Sequence, residues 1–123
     1  MYPVPRALIC IESGSIMKLL YSSSSPFVRK VTLVAQALGL EGRIERLPSA
    51  ANPLKRDPRI TAHNPLGKVP CLITDDGLAV IDSKVIVEYL CAMAPDDRGL
   101  PRQGAERWIA LRQQAIADGA IEA

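Results

Sequence analysis

The sequence predicts a small α/β domain over residues 17–94, with elements in the order β-α-β-α-β-β-α. Three observations predict it. The apolar segment Met17-Lys18-Leu19-Leu20-Tyr21 runs straight into four serines and a proline. Two apolar segments, 69–74 and 78–81, are joined by Asp75-Asp76-Gly77, a strong hairpin signature. Helical apolar spacing follows each of these features, over 27–40 and again over 83–93.

Each element has a local reason. Pro26 suits the first position of a helix, where its missing N–H costs nothing, and Ser25 before it is a natural N-cap. Phe27, Val31, Val34, Ala35 and Leu38 then share one helical face, and Gly39 marks the C-cap region. Residues 43–47 alternate charged and apolar side chains, as a half-exposed strand does. The proline-bearing stretch 48–63 has room for a short helix at 54–61, which Pro58 limits. Asp82 or Ser83 can cap the next helix, whose apolar face is Ile86, Val87, Leu90 and Cys91. The order reads as two βαβ-like steps, then a hairpin and a helix. A final helix from Ala105 carries Trp108, Ile109, Leu111, Ile116 and Ile121, with no partner in the chain large enough to bury it fully.

Composition narrows the function. A chain of 123 residues holds one domain, or one plus part of another. Net charge is +2 with scattered Lys and Arg, so neither nucleic acid nor an anionic membrane is an expected partner. Aromatics are 4%, too few for base stacking. No apolar run approaches the roughly 18 residues of a membrane span. Residues 1–16 read as an N-terminal extension; the apolar stretch 7–11 falls short of a secretory core of about seven to fifteen residues. Cys10, Cys71 and Cys91 form no CxxC pair and are odd in number, which fits free thiols in a reducing, cytoplasmic compartment. Zinc, P-loop and dinucleotide motifs are absent, and the lone His63 has no acidic partner nearby in sequence, so no metal is expected.

Three segments can carry chemistry. The serine turn ends a strand and opens a helix, where free N–H groups and the helix dipole favour an anion. Taken locally, Ser25 is a cap and Ser22, Ser23 and Ser24 are turn residues. Val69-Pro70, just before a strand, is a candidate cis peptide that would present the Val69 backbone to an extended peptide; an ordinary trans proline is the plainer reading. Asp82-Ser83 at a second helix start suits a carboxylate, or serves only as a cap.

Together the strand-SSSSPFVRKV-helix segment, NPLGKVPCL and DGLAVIDSKVIVEYL resemble the N-terminal, thioredoxin-like domain of glutathione S-transferases. The resemblance covers roughly residues 17–94, in the family's order and at about its spacing. It is nearest to bacterial members with an SPF or SPY turn. It implies that Val69, before a cis Pro70, pairs its backbone with the cysteinyl part of glutathione. Asp82 and Ser83 would hold the γ-glutamyl end, though many relatives have Glu or Gln where Asp82 stands. Lys55, His63 and Lys68 become candidates for the glycyl carboxylate. Ser25 falls where relatives carry a nucleophilic Cys, and Ser24 and Ser23 follow as alternatives.

The implied activity is stabilisation of the glutathione thiolate for attack on a small electrophile, with glutathione as co-substrate. A thiol pKa near about 8.5 leaves most glutathione un-ionised at neutral pH. Lowering it by about two units is worth roughly 2.7 kcal/mol, within reach of a charge-assisted hydrogen bond plus a helix dipole. Serine cannot form a mixed disulfide, which favours conjugation or binding over thiol exchange. By the same resemblance, 95–104 is a linker and 105–123 the first helix of a truncated all-helical domain that would supply the electrophile pocket and much of a homodimer contact. The chain is therefore expected to be a glutathione half-site of weak or no activity. The competing reading is a non-catalytic binding or association module of the same fold.

Overall fold

The computed structural model describes residues 16–49, 57–94 and 99–122. Strand β1 (Met17–Tyr21) is central. On one side it pairs in parallel with β2 (Ile44–Pro48), from Met17 opposite Ile44 to Tyr21 opposite Pro48. On the other it pairs antiparallel with β3 (Cys71–Ile73), Leu19 facing Leu72. Strand β4 (Ala79–Ile81) closes the far edge antiparallel to β3, giving the order β2-β1-β3-β4.

The alternation along β1 explains why both sheet faces are covered. Successive side chains point to opposite faces. Met17 and Leu19 enter the main core with Val31, Ala35, Leu72, Ile86 and Leu90. Leu20 enters a smaller core with Ile60 and Cys71. Helix α1 (Pro26–Ala37) and helix α3 (Ser83–Met93) cover the first face; the four-residue helix α2 (Pro58–Thr61) covers the second through Ile60. Each such fully buried Leu or Ile stabilises the fold by about 1.5–3 kcal/mol. Helix α4 (Ala105–Glu122) follows, and its Trp108, Ile109, Ile116 and Ile121 are exposed.

The caps follow sequence chemistry. Ser25 Oγ accepts the Val28 N–H at 3.2 Å and Pro26 opens α1. The helix ends in a Schellman motif: the Gly39 N–H donates to Gln36 O and the Leu40 N–H to Ala35 O, with Gly39 at φ 74°. The β3–β4 hairpin closes through Thr74 N–H donating to Leu78 O at 2.8 Å, with Gly77 at φ 90°.

Several expectations are corrected. The second step is not a βαβ unit, because after α2 the chain crosses β1 and β3 returns antiparallel to it. Pro58 does not limit the short helix; it begins it, capped by Asp57 Oδ1, which accepts the Arg59 N–H at 2.9 Å. Strand β2 runs one residue later than its charge alternation suggests, since its pairing with β1 extends to Pro48. Strand β3 starts only at Cys71, after Pro70, which has no N–H to give a ladder. The segment expected as a linker is docked where it is described: Leu100 is buried in the main core and Arg102 donates to Ala94 O.

Candidate functional site

A cleft of about 510 Å³ lies beside the N-termini of α1 and α3. That volume is in the range of small-molecule sites. Its walls include Lys68, Val69, Pro70, Asp82 and Ser83, five of the residues singled out from sequence. A smaller hollow of about 190 Å³ between α1 and β2 has Leu19, Val31 and Ile44 at its base. Its charged residues, Glu41 and Arg46, are exposed, and none of the singled-out residues reaches it.

The Val69–Pro70 peptide bond is cis. The loop before it is folded by Asn64, which is 2% exposed. Asn64 Oδ1 accepts the Leu66 N–H at 2.9 Å, and Nδ2 donates to Lys68 O at 3.0 Å. The Gly67 N–H closes on Asn64 O, with Gly67 at φ 66°. One buried amide thus fixes the approach to Val69. Asn64 was quoted in the sequence only as part of its segment; the N-P-x-G pattern was the available signal.

Asp82 holds an unusual backbone. It sits at φ 72° and ψ 126°, a region that favours glycine, while its Oδ1 accepts the Lys84 N–H at 3.0 Å to cap α3. Such a conformation costs on the order of 1–3 kcal/mol and concentrates at working sites. Ser83 beside it is buried. The start of α3 therefore presents a carboxylate, a hydroxyl and unpaired N–H groups to the cleft.

The serine turn borders this cleft without lining it. Phe27, two residues after Ser25, is in the wall. Ser25 Oγ is engaged as an acceptor by the cap, which leaves its O–H free to donate. Ser22 and Ser24 hydroxyls bond each other at 3.0 Å, and Ser23 and Ser24 are exposed. His63 is exposed and outside the cleft wall, and Lys55 lies outside the described residues. Asp118 and Glu122 of α4 also line the cleft. No sequence signal connected them to it, since they lie about a hundred residues from the serine turn.

The buried thiols are poor nucleophiles. Burial pushes Cys71 up from its ordinary pKa; burial, then Glu88, does the same for Cys91, partly offset by Arg107. Thiol chemistry at this site would need a sulfur brought by a ligand. Among the described residues no cluster of three His, Cys, Asp or Glu is placed to hold a metal, and no helix is long and apolar enough to cross a membrane.

A four-stranded sheet of this order, a cis-proline beside a helix N-terminus and a strand-turn-helix opening define a thioredoxin-like fold of the glutathione-transferase kind. Residues 24–93 match the family model for the glutathione S-transferase N-terminal domain. The chain is 38% identical over 108 residues to the uncharacterized GST-like protein YibF of Escherichia coli (strain K12), covering 87% of this chain and 51% of that protein. It is 39% identical over 85 residues to the probable glutathione S-transferase BZ2 of Zea mays, covering 68% of this chain and 34% of that one. A glutathione transferase family member from Pseudomonas fluorescens Pf-5, solved with bound glutathione, superposes with TM-score 0.83 at 35% identity, over 86% of this chain and 52% of its own. A glutathione S-transferase from Methylobacillus flagellatus KT, also with glutathione bound, gives TM-score 0.73 at 40% identity, over 84% and 49%. The chain belongs to the glutathione S-transferase family. It spans about half the length of the first relative, 51%.

Proposed function

We propose that the cleft binds glutathione and that the serine turn stabilises its thiolate for attack on a small electrophile. The observation that carries this reading is the convergence of Lys68, Val69, cis Pro70, Asp82 and Ser83 on one cleft beside the start of α1. The Val69 backbone pairs with the cysteinyl residue, Asp82 and Ser83 take the γ-glutamyl amine and carboxylate, and Lys68 neutralises the glycyl carboxylate. Ser25 donates its free O–H to the sulfur, with Ser24 and then Ser23 as the next candidates. Residues 17–94 form the glutathione-binding domain, 95–104 the connection, and 105–123 the start of a helical region. A donor and a dipole aimed at one sulfur each favour the thiolate. Support comes from the family and from relatives solved with glutathione.

The exposed apolar residues of α4 favour a second reading, association without catalysis, for which a second copy of the chain is the partner. Titration calorimetry with glutathione, followed by Ser25→Ala, Ser24→Ala and Ser23→Ala, separates the two. Conjugation that disappears while binding survives supports the enzyme. Absence of any heat of glutathione binding supports the association module and ends the first reading.

A further inference from the structure

Helix α4 is anchored in two different ways. Its first half rests on the main core through Ala110 and Leu111, and Arg107 bonds Glu88 Oε2 at 3.1 Å and Pro101 O at 3.2 Å. Its second half has no apolar anchor of that kind, since Ile116 and Ile121 are exposed. Polar contacts hold it instead. Lys30 Nζ, on α1, donates to Asp118 Oδ1 at 3.0 Å, to Asp118 Oδ2 at 2.9 Å and to Gln114 Oε1 at 2.9 Å. Gln114 and Asp118 are one turn apart, so both face the same ammonium. Asp118 is the buried residue of this helix, at 4% exposure.

Asp118 and Glu122, the next turn, are also the α4 contribution to the cleft wall. The helix that bears the serine turn thus holds, through Lys30, the far wall of the same cleft. We infer that the Lys30–Asp118–Gln114 clamp positions the end of α4 against the bound tripeptide and sets the width of the site. Lys30 and Gln114 are positioning residues. This inference rests on the glutathione reading above. It also has an electrostatic consequence: glutathione is anionic at neutral pH, and Lys30 balances a carboxylate that would otherwise face it unpaired.

The test is glutathione titration calorimetry on the full chain and four variants, each held well below its own melting temperature. Lys30→Met and Asp118→Asn should each weaken binding by about tenfold, the scale of a displaced binding wall, while Lys30→Arg restores most of the affinity. The Lys30→Met/Asp118→Asn double variant should stay weak, because removing the charge does not rebuild the contact. Wild-type affinity in the folded Lys30→Met variant, or in the double variant, overturns the clamp and leaves the glutathione site standing. Absence of binding by the wild-type chain overturns both. Should Lys30→Met fail to fold, Asp118→Asn and Lys30→Arg decide between the same outcomes.

Discussion

Gly99 lies directly against Cys91: a Cβ built on Gly99 would stand 2.7 Å from Cys91 Sγ and 3.3 Å from Leu38 Cδ2. Cys91 and Leu38 are both in the main core, so the segment after α3 approaches as closely as a bare backbone permits. Gly99→Ala should therefore destabilise by about 1–3 kcal/mol, the usual scale of overpacking. Urea unfolding of Gly99→Ala, and of Gly99→Ala/Cys91→Ala, checks it. The double variant should recover part of the loss, since it removes the sulfur that clashes.

Asp82 separates stability from function. Asp82→Gly relaxes the backbone at φ 72° and keeps most of the capping benefit, as glycine at an N-cap costs only a few tenths of a kcal/mol relative to Asp. Stability should be unchanged or higher by up to about 1 kcal/mol. Glutathione affinity should fall, because the carboxylate facing the γ-glutamyl amine is gone. Paired melting and calorimetry measure the two effects; a variant that is both markedly less stable and fully competent would refute this account.

Ile60 is the single apolar peg of helix α2, wholly buried against Leu20 and Cys71. Ile60→Ala should cost about 2–5 kcal/mol. Its effect should reach the cleft, since the His63 and Asn64 N–H groups both bond to Ile60 O. Hydrogen exchange at residues 63–69 should quicken in the variant more than exchange at α3.

Tyr89 gives an alkaline signature. Burial, followed by the nearby Asp76 and Asp75, pushes its phenol from an ordinary value of 10 up to about 12, against a smaller opposing effect of Arg43. The folded state therefore favours the un-ionised ring. That contribution to stability is complete below pH 10 and is lost as pH rises toward about 12. Melting temperature should fall more steeply across this window in the wild type than in Tyr89→Phe.

The thiols offer a simple probe of burial. Cys71 and Cys91 are free and buried, with pKa values raised by burial. Per-site mass spectrometry after iodoacetamide should find neither labelled in native buffer at neutral pH and both labelled in denaturant. Rapid native labelling of Cys91 would mean that the Gly99 packing opens.

What could be read from the sequence was local. Ser25 before Pro26 announces its cap because donor, acceptor and fixed φ lie within four residues. Asp75-Asp76-Gly77 announces the hairpin for the same reason. The cis bond at Val69–Pro70 became an expectation only beside the other two segments, because cis and trans prolines look alike in sequence. The antiparallel return of β3 was hidden, since apolar periodicity specifies a strand and not its neighbour's direction. Lys30 with Asp118 was hidden more deeply, as an ordinary surface-type charge on each of two helices 88 positions apart. Asp57 and Pro58 were misread because a proline that breaks a helix interior is also one that starts a helix.

The Ser25 cap places position 25 under two selections at once. A change to Cys there would bring a covalent sulfur nucleophile to the mouth of the cleft, but a thiol is a weak acceptor for the Val28 N–H. A lineage passing from serine to cysteine at this point would trade helix stability for redox chemistry in one mutational step. The passage is open only to chains whose core has stability in reserve.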